Sequence, residues 1–156
     1  MPVVSFVDTS VLCDLLKVPG KCQRHEEVRA ELQELRQSGV QLVLPIASVI
    51  ETGNHIAQAG DGHGRRASAK AFVELLRLTA EGGAPWVLHS VAWDGRMLRL
   101  LCDGPGDIGT FVEMAGRGAL GAGDMAILAE RELYAMRTAG VEVRVWTHDE
   151  RLGAYS

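Results

Sequence analysis

Val3-Val4-Ser5-Phe6-Val7-Asp8-Thr9-Ser10 places an apolar run directly before an aspartate and two hydroxyl residues. A short apolar run bounded by polar turn formers reads as a buried strand. Val40 to Leu44, Trp86 to His89 and Val141 to Trp146 are further runs of this kind, the last ending on Thr147-His148-Asp149. Helical patterns lie between them. Val11 to Lys17 is stopped by Pro19-Gly20, and Arg24 to Gln37 carries Val28, Leu32 and Leu35 on one stripe with Gly39 beyond its end. Ile46 to Gln58 begins after Pro45, and Ser68 to Ala80, Arg96 to Cys102 and Asp124 to Thr138 follow. Ile108 to Ala115 is ambiguous, a short helix or a loop. Alternating strands and helices predict an α/β fold with a mainly parallel sheet covered by helices.

A length of 156 residues suits one domain, 1–156, with one sizeable core, and no repeat or linker divides it. No apolar stretch approaches the roughly 18 residues of a membrane span. The first residues enter a strand without a basic, cleavable leader, so the cytoplasm is the expected location. Cys13, Cys22 and Cys102 form no C-x-x-C pair and leave an odd count, against a disulfide framework or structural zinc. The net charge of −4 excludes a global basic field. A polyanionic substrate would need a local basic patch and bound metal.

Asp8, Glu51, Asp124 and Asp149 draw attention by position. Two end strands, Asp124 opens the helix feeding the last strand, and Glu51 lies about one turn into the helix after the second strand. In a parallel sheet these positions converge on the crevice at the strand carboxyl ends. Gathered carboxylates repel unless a divalent cation lies between them, and Mg²⁺ or Mn²⁺ prefers such oxygen ligands. Each acid also has a plainer alternative. Asp8 and Asp124 suit helix N-caps, Glu51 suits a solvated helix face, and Thr147 to Glu150 has capping-box spacing with Asp149 in the first turn.

Four segments in order, Phe6-Val7-Asp8-Thr9-Ser10-Val11-Leu12, Ser48 to Ile56 around Glu51, Gly123-Asp124-Met125-Ala126-Ile127-Leu128-Ala129 and Thr147-His148-Asp149, resemble the successive motifs of PIN-domain ribonucleases. The toxins of VapBC-type toxin–antitoxin pairs carry this pattern. The resemblance implies a Rossmann-like three-layer α/β/α sandwich with four to five strands. It implies Mg²⁺- or Mn²⁺-dependent endonuclease activity on RNA, with Asp8, Glu51 and Asp124 as the principal metal-site acids. Asp149 would be the fourth, with the Thr9 or Thr147 hydroxyls nearby. RNA is then the expected substrate and an antitoxin a candidate partner. Few residues follow Asp149, so Val141 to Trp146 is expected near a sheet edge, with Trp146 and the Tyr155 region covered by a second chain, in a homodimer or an antitoxin complex.

Neighbouring residues supply candidate substrate contacts. The helix from Ile46 is expected to turn Val49, Ile50, Gly53 and Ala57 inward and Glu51, Asn54, His55 and Gln58 to the adjoining polar face. His55 stands four residues from Glu51, a spacing for a supporting or substrate role. Gly60 to Arg66 reads as an adaptable glycine-rich loop, with Arg65, Arg66 and Lys70 available to RNA phosphates. Trp86, Trp93 and Trp146 suit core or interface positions. A haloacid-dehalogenase-like phosphatase also begins with a strand-end aspartate, but needs a second two residues on, where this chain has Ser10. The remaining alternative is a non-catalytic PIN-like module that binds RNA or protein.

Overall fold

The computed structural model describes all residues, Met1–Ser156. Its four strands are β1 (Val3–Val7), β2 (Gln41–Val43), β3 (Trp86–Val87) and β4 (Glu142–Trp146). They pair in the order β3-β2-β1-β4, every pair parallel, and no fifth strand is present. The helices are α1 (Thr9–Leu15), α2 (His25–Gln37), α3 (Ile46–Gln58), α4 (Gly62–Ala80), α5 (Gly95–Asp103), α6 (Phe111–Gly116), α7 (Ala122–Arg137) and α8 (Glu150–Gly153).

Strand alternation divides the interior between two faces. Val4, Phe6, Val43 and Val145 point to one core, filled by Met97 of α5, Met114 of α6 and Met125, Ile127, Leu128 and Leu133 of α7. Val7, Leu42 and Trp146 face the other, against Val11 and Leu12 of α1 and Val28 of α2. Helices on both faces of a parallel sheet make a three-layer α/β sandwich. No helix is long and apolar enough to cross a membrane.

Three expectations need correction. The glycine-rich stretch is not a loop: α4 begins at Gly62, capped by the Asp61 carboxylate on the His63 N–H. Gly64 is there for close packing, since a Cβ would meet Pro19 Cγ at 2.7 Å and Asp61 Oδ2 at 2.8 Å. The inward stripe of α3 is also displaced. Ala47, Ser48, Thr52 and Ile56 are buried, whereas Ile50 is 58% exposed and Ala57 lies outside. Small residues win the inner face because α3 is packed close to the sheet, with the Ser48 hydroxyl donating to the Val7 carbonyl at 2.7 Å.

The third correction concerns the cover of the last strand, not its place at the edge, which is as expected. β4 is an edge strand, but its outward residues Glu142 and Arg144 pair at 2.7 Å and blunt it. Trp146 is buried in the core beneath α2, its indole N–H donating to Glu31 at 2.6 Å, and Tyr155 packs on the α7 side. The chain's own helices pack over these residues.

Candidate functional site at the strand carboxyl ends

β1 and β4 are parallel neighbours, so Asp8 and Thr147-His148-Asp149 emerge at the same sheet edge. A cleft of about 460 Å³ opens there, lined by Asp8, Thr9, Glu51, His55, Asp124 and Asp149 among others. All four acids from separate segments therefore meet in one place.

Asp8 is the best-held member. It is buried and caps α1, its Oδ2 accepting from the Ser10 N–H at 3.3 Å. The same oxygen takes the Ser10 hydroxyl at 2.8 Å and the Thr147 hydroxyl at 2.7 Å. Oδ1, equally shielded from water, has no partner. Buried polar atoms are nearly always paired, so this oxygen is an exception that asks for an occupant. Thr147 is itself oriented, accepting from the Asp149 N–H at 2.9 Å.

Thr9 donates to Glu51 Oε2 at 3.1 Å. Glu51 rests on α7 at Gly123, where a methyl group would collide with its carboxylate. Glycine is what lets the acid from α3 reach the start of α7. Asp124 is not an N-cap but sits inside the first turn of α7, its Oδ2 accepting from the Gly121 N–H at 3.2 Å. Asp149, not Thr147, is the cap of α8, its Oδ1 accepting from the Arg151 and Leu152 N–H groups.

Burial pushes the Asp124 carboxyl up to about 6, and the charges of Asp8, Glu51 and Asp149 add to it against the Gly121 hydrogen bond. Burial likewise raises Glu51, with Asp8 and Asp149 adding and the Thr9 hydroxyl opposing. His55 is lowered by burial and by Lys21, with Asp8 opposing. Acids that resist ionisation together, beside an orphaned carboxylate oxygen, fit a hard divalent cation held by oxygen ligands. Asp8, Glu51, Asp124 and Asp149 are the residues that could hold it.

The expected substrate contacts fare unevenly. Thr9 and His55 line the cleft, and Thr147 reaches it through Asp8. Asn54 is exposed outside the lining. Arg65 donates to the Ala59 carbonyl at 2.8 Å, closing the end of α3, and Arg66 lies with Lys70 and Arg77 along the outer side of α4. Neither arginine lines the cleft that holds the acids. Lys21, Arg24 and His148 line the cleft instead. Their one sequence signal was proximity to the first and fourth motifs.

His148 also joins Glu27 and Glu31, with ligand atoms within 4.8 Å of one another. Those groups are engaged otherwise: Glu31 is held by His148 at 2.8 Å and by the Trp146 indole, and Glu27 is exposed. Comparison with protein-family models, curated proteins and solved structures found no match.

Proposed function

We propose that the chain is a Mg²⁺- or Mn²⁺-dependent endoribonuclease of the PIN type. The observation that carries this reading is Asp8: buried, fixed through one oxygen, left with its second oxygen unpaired, and lining a cleft with three more acids. Asp8, Glu51, Asp124 and Asp149 would hold the ion. When bound, it would supply activation of water and offset charge on the phosphate during hydrolysis. Ser10 and Thr147 hold the Asp8 carboxylate in one orientation, and Thr9 does the same for Glu51. A rigid acid set keeps the geometry fixed between substrate and transition state, which is where positioning lowers a barrier.

A phosphatase of the haloacid-dehalogenase kind gains nothing here, because Ser10 spends its hydroxyl on Asp8. Cytoplasmic location suits the free cysteines. A role as a toxin restrained by an antitoxin remains part of the proposal.

The test is single-stranded RNA incubated with purified protein and Mg²⁺ or Mn²⁺. Cleavage should stop with EDTA and with Asp8→Asn or Asp124→Asn, and the products should carry 3′ hydroxyls. Cutting that persists in EDTA, or 2′,3′-cyclic phosphate ends, would rule the reading out.

A further inference from the structure

Two cations stand in the acidic cleft without a carboxylate partner. The close contacts of basic groups with carboxylates are Arg144–Glu142, Arg151–Asp149 and those of His25 with Glu26 and His148 with Glu31, and neither Lys21 nor Arg24 is among them. Both nonetheless line the cleft with the four acids. Both side chains are exposed, and the loop that carries them is fixed.

That loop, between α1 and α2, is tied at several points. Val18 is buried and its N–H donates to Cys13 at 3.0 Å, while the Lys21 N–H returns to the Val18 carbonyl at 2.9 Å. Asp14 is buried and accepts the Arg24 N–H at 3.0 Å, and its carbonyl meets His25 Nδ1 at 2.7 Å. The Arg24 side chain is held too. Its Nη1 donates to His148 Nδ1 at 2.7 Å, which leaves Nε2 to donate to Glu31, the carboxylate that also takes the Trp146 indole N–H. The remaining N–H groups of the guanidinium make no hydrogen bond within the protein.

Resting on the nuclease reading above, we infer that Lys21 and Arg24 form a phosphate subsite, gripping the RNA phosphate beside the one placed over the acids. The Trp146–Glu31–His148 chain positions Arg24 for it. An arginine offers a planar fork matched to phosphate oxygens, and lysine adds a point charge. Ordering the arginine beforehand reduces the entropy lost on binding. The pair also answers a problem of charge. Four carboxylates repel a polyanion, and local cations let it approach the cleft of a chain whose net charge is −4.

The test is fluorescence anisotropy of a labelled, mixed-sequence single-stranded RNA with the wild-type chain in EDTA, where cleavage cannot intervene. Arg24→Ala and Lys21→Ala should each weaken binding several-fold and irrespective of sequence. Each should flatten the dependence of log affinity on log salt by about 0.7. Arg24→Lys, which keeps the charge and loses the fork, should recover the salt slope but only part of the affinity. His148→Ala should weaken binding in the wild type and add nothing beside Arg24→Ala.

Unchanged affinity and slope in both alanine variants, with thermal transitions as in the wild type, would overturn the subsite. An additive His148→Ala effect would overturn the positioning role. RNA cut with Mn²⁺ by a chain whose affinity ignores both cations ends the subsite and leaves the nuclease. RNA held through Arg24 but never cut ends the nuclease and leaves the subsite.

Discussion

Asp124→Asn should stabilise the metal-free chain at neutral pH and remove its response to Mn²⁺. Burial first, then the charges of Asp8, Glu51 and Asp149, hold this carboxyl up at about 6 against an ordinary 3.8. The folded chain thus binds the proton more tightly than the unfolded chain. Its contribution to stability is whole below 3.8 and is lost as pH rises through about 6. The full displacement corresponds to roughly 3 kcal/mol. Asp124 is only half-buried, and solvent screening reduces this to roughly 1–2 kcal/mol. Asparagine keeps an oxygen for the Gly121 N–H, so the start of α7 is preserved. For a chain of this size the gain is a rise in Tm of roughly 2–8 °C. Mn²⁺ should reverse the order: at a hundredfold excess over Kd the wild type gains about 2.7 kcal/mol, and the variant little. Thermal melts in EDTA and in Mn²⁺, stepped through pH, read both effects. A variant that melts below the wild type in EDTA at neutral pH, or that Mn²⁺ raises equally, would refute the reasoning.

Two other substitutions test different parts of the structure. Gly123→Ala improves helix propensity by about 1 kcal/mol in isolation, yet the methyl would strike the Glu51 carboxylate; calorimetry should show Mn²⁺ binding lost while circular dichroism shows the fold retained. Glu130, 1% exposed on α7, lies near the Ile46 N–H without a well-formed hydrogen bond, and burial holds it up at about 7 against that favourable contact. Its stabilising proton is lost as pH rises from 4.5 through about 7, so Glu130→Gln should add roughly 2–3 kcal/mol above that range and nothing below it, read by urea unfolding.

The sheet and the meeting of the acids were legible because each depends on local pattern. A strand buried on both faces is largely apolar, so Val3–Val7 announces itself, while the edge strand Glu142–Trp146 shows Val143, Val145 and Trp146 around the exposed Glu142 and Arg144; parallel order follows from the helices between the strands. Where a position is set by a neighbour, composition misleads. Ile50 looks like core and is exposed, while Ser48 looks like surface and is fully buried beneath the sheet's end. Gly62 and Gly64 look like loop and begin a helix, because the reason for glycine at 64 is Pro19, distant in sequence. Lys21 and Arg24 were hidden for the same reason. Their place in the cleft depends on Asp14 tying a loop and His148 arriving from β4, contacts that no periodicity encodes.

Helix capping and the proposed cation binding at Asp8 are compatible uses of one side chain, because they call on different oxygens. Capping α1 requires one oxygen and one N–H, and Oδ2 supplies that through Ser10. Nothing in capping calls for two further hydroxyls on the same oxygen, one from β4's end. Nor does it call for a bare, buried Oδ1, which costs about 1–3 kcal/mol when left unpaired. An arrangement serving stability alone would relieve that cost, either by sharing the donors between the oxygens or by an asparagine whose amide could donate. Concentrating every donor on Oδ2 instead fixes the carboxylate while reserving its other oxygen. Asp8 lines the same cleft as Glu51, Asp124 and Asp149, and a cation held by these acids would offset both the unpaired atom and their mutual repulsion.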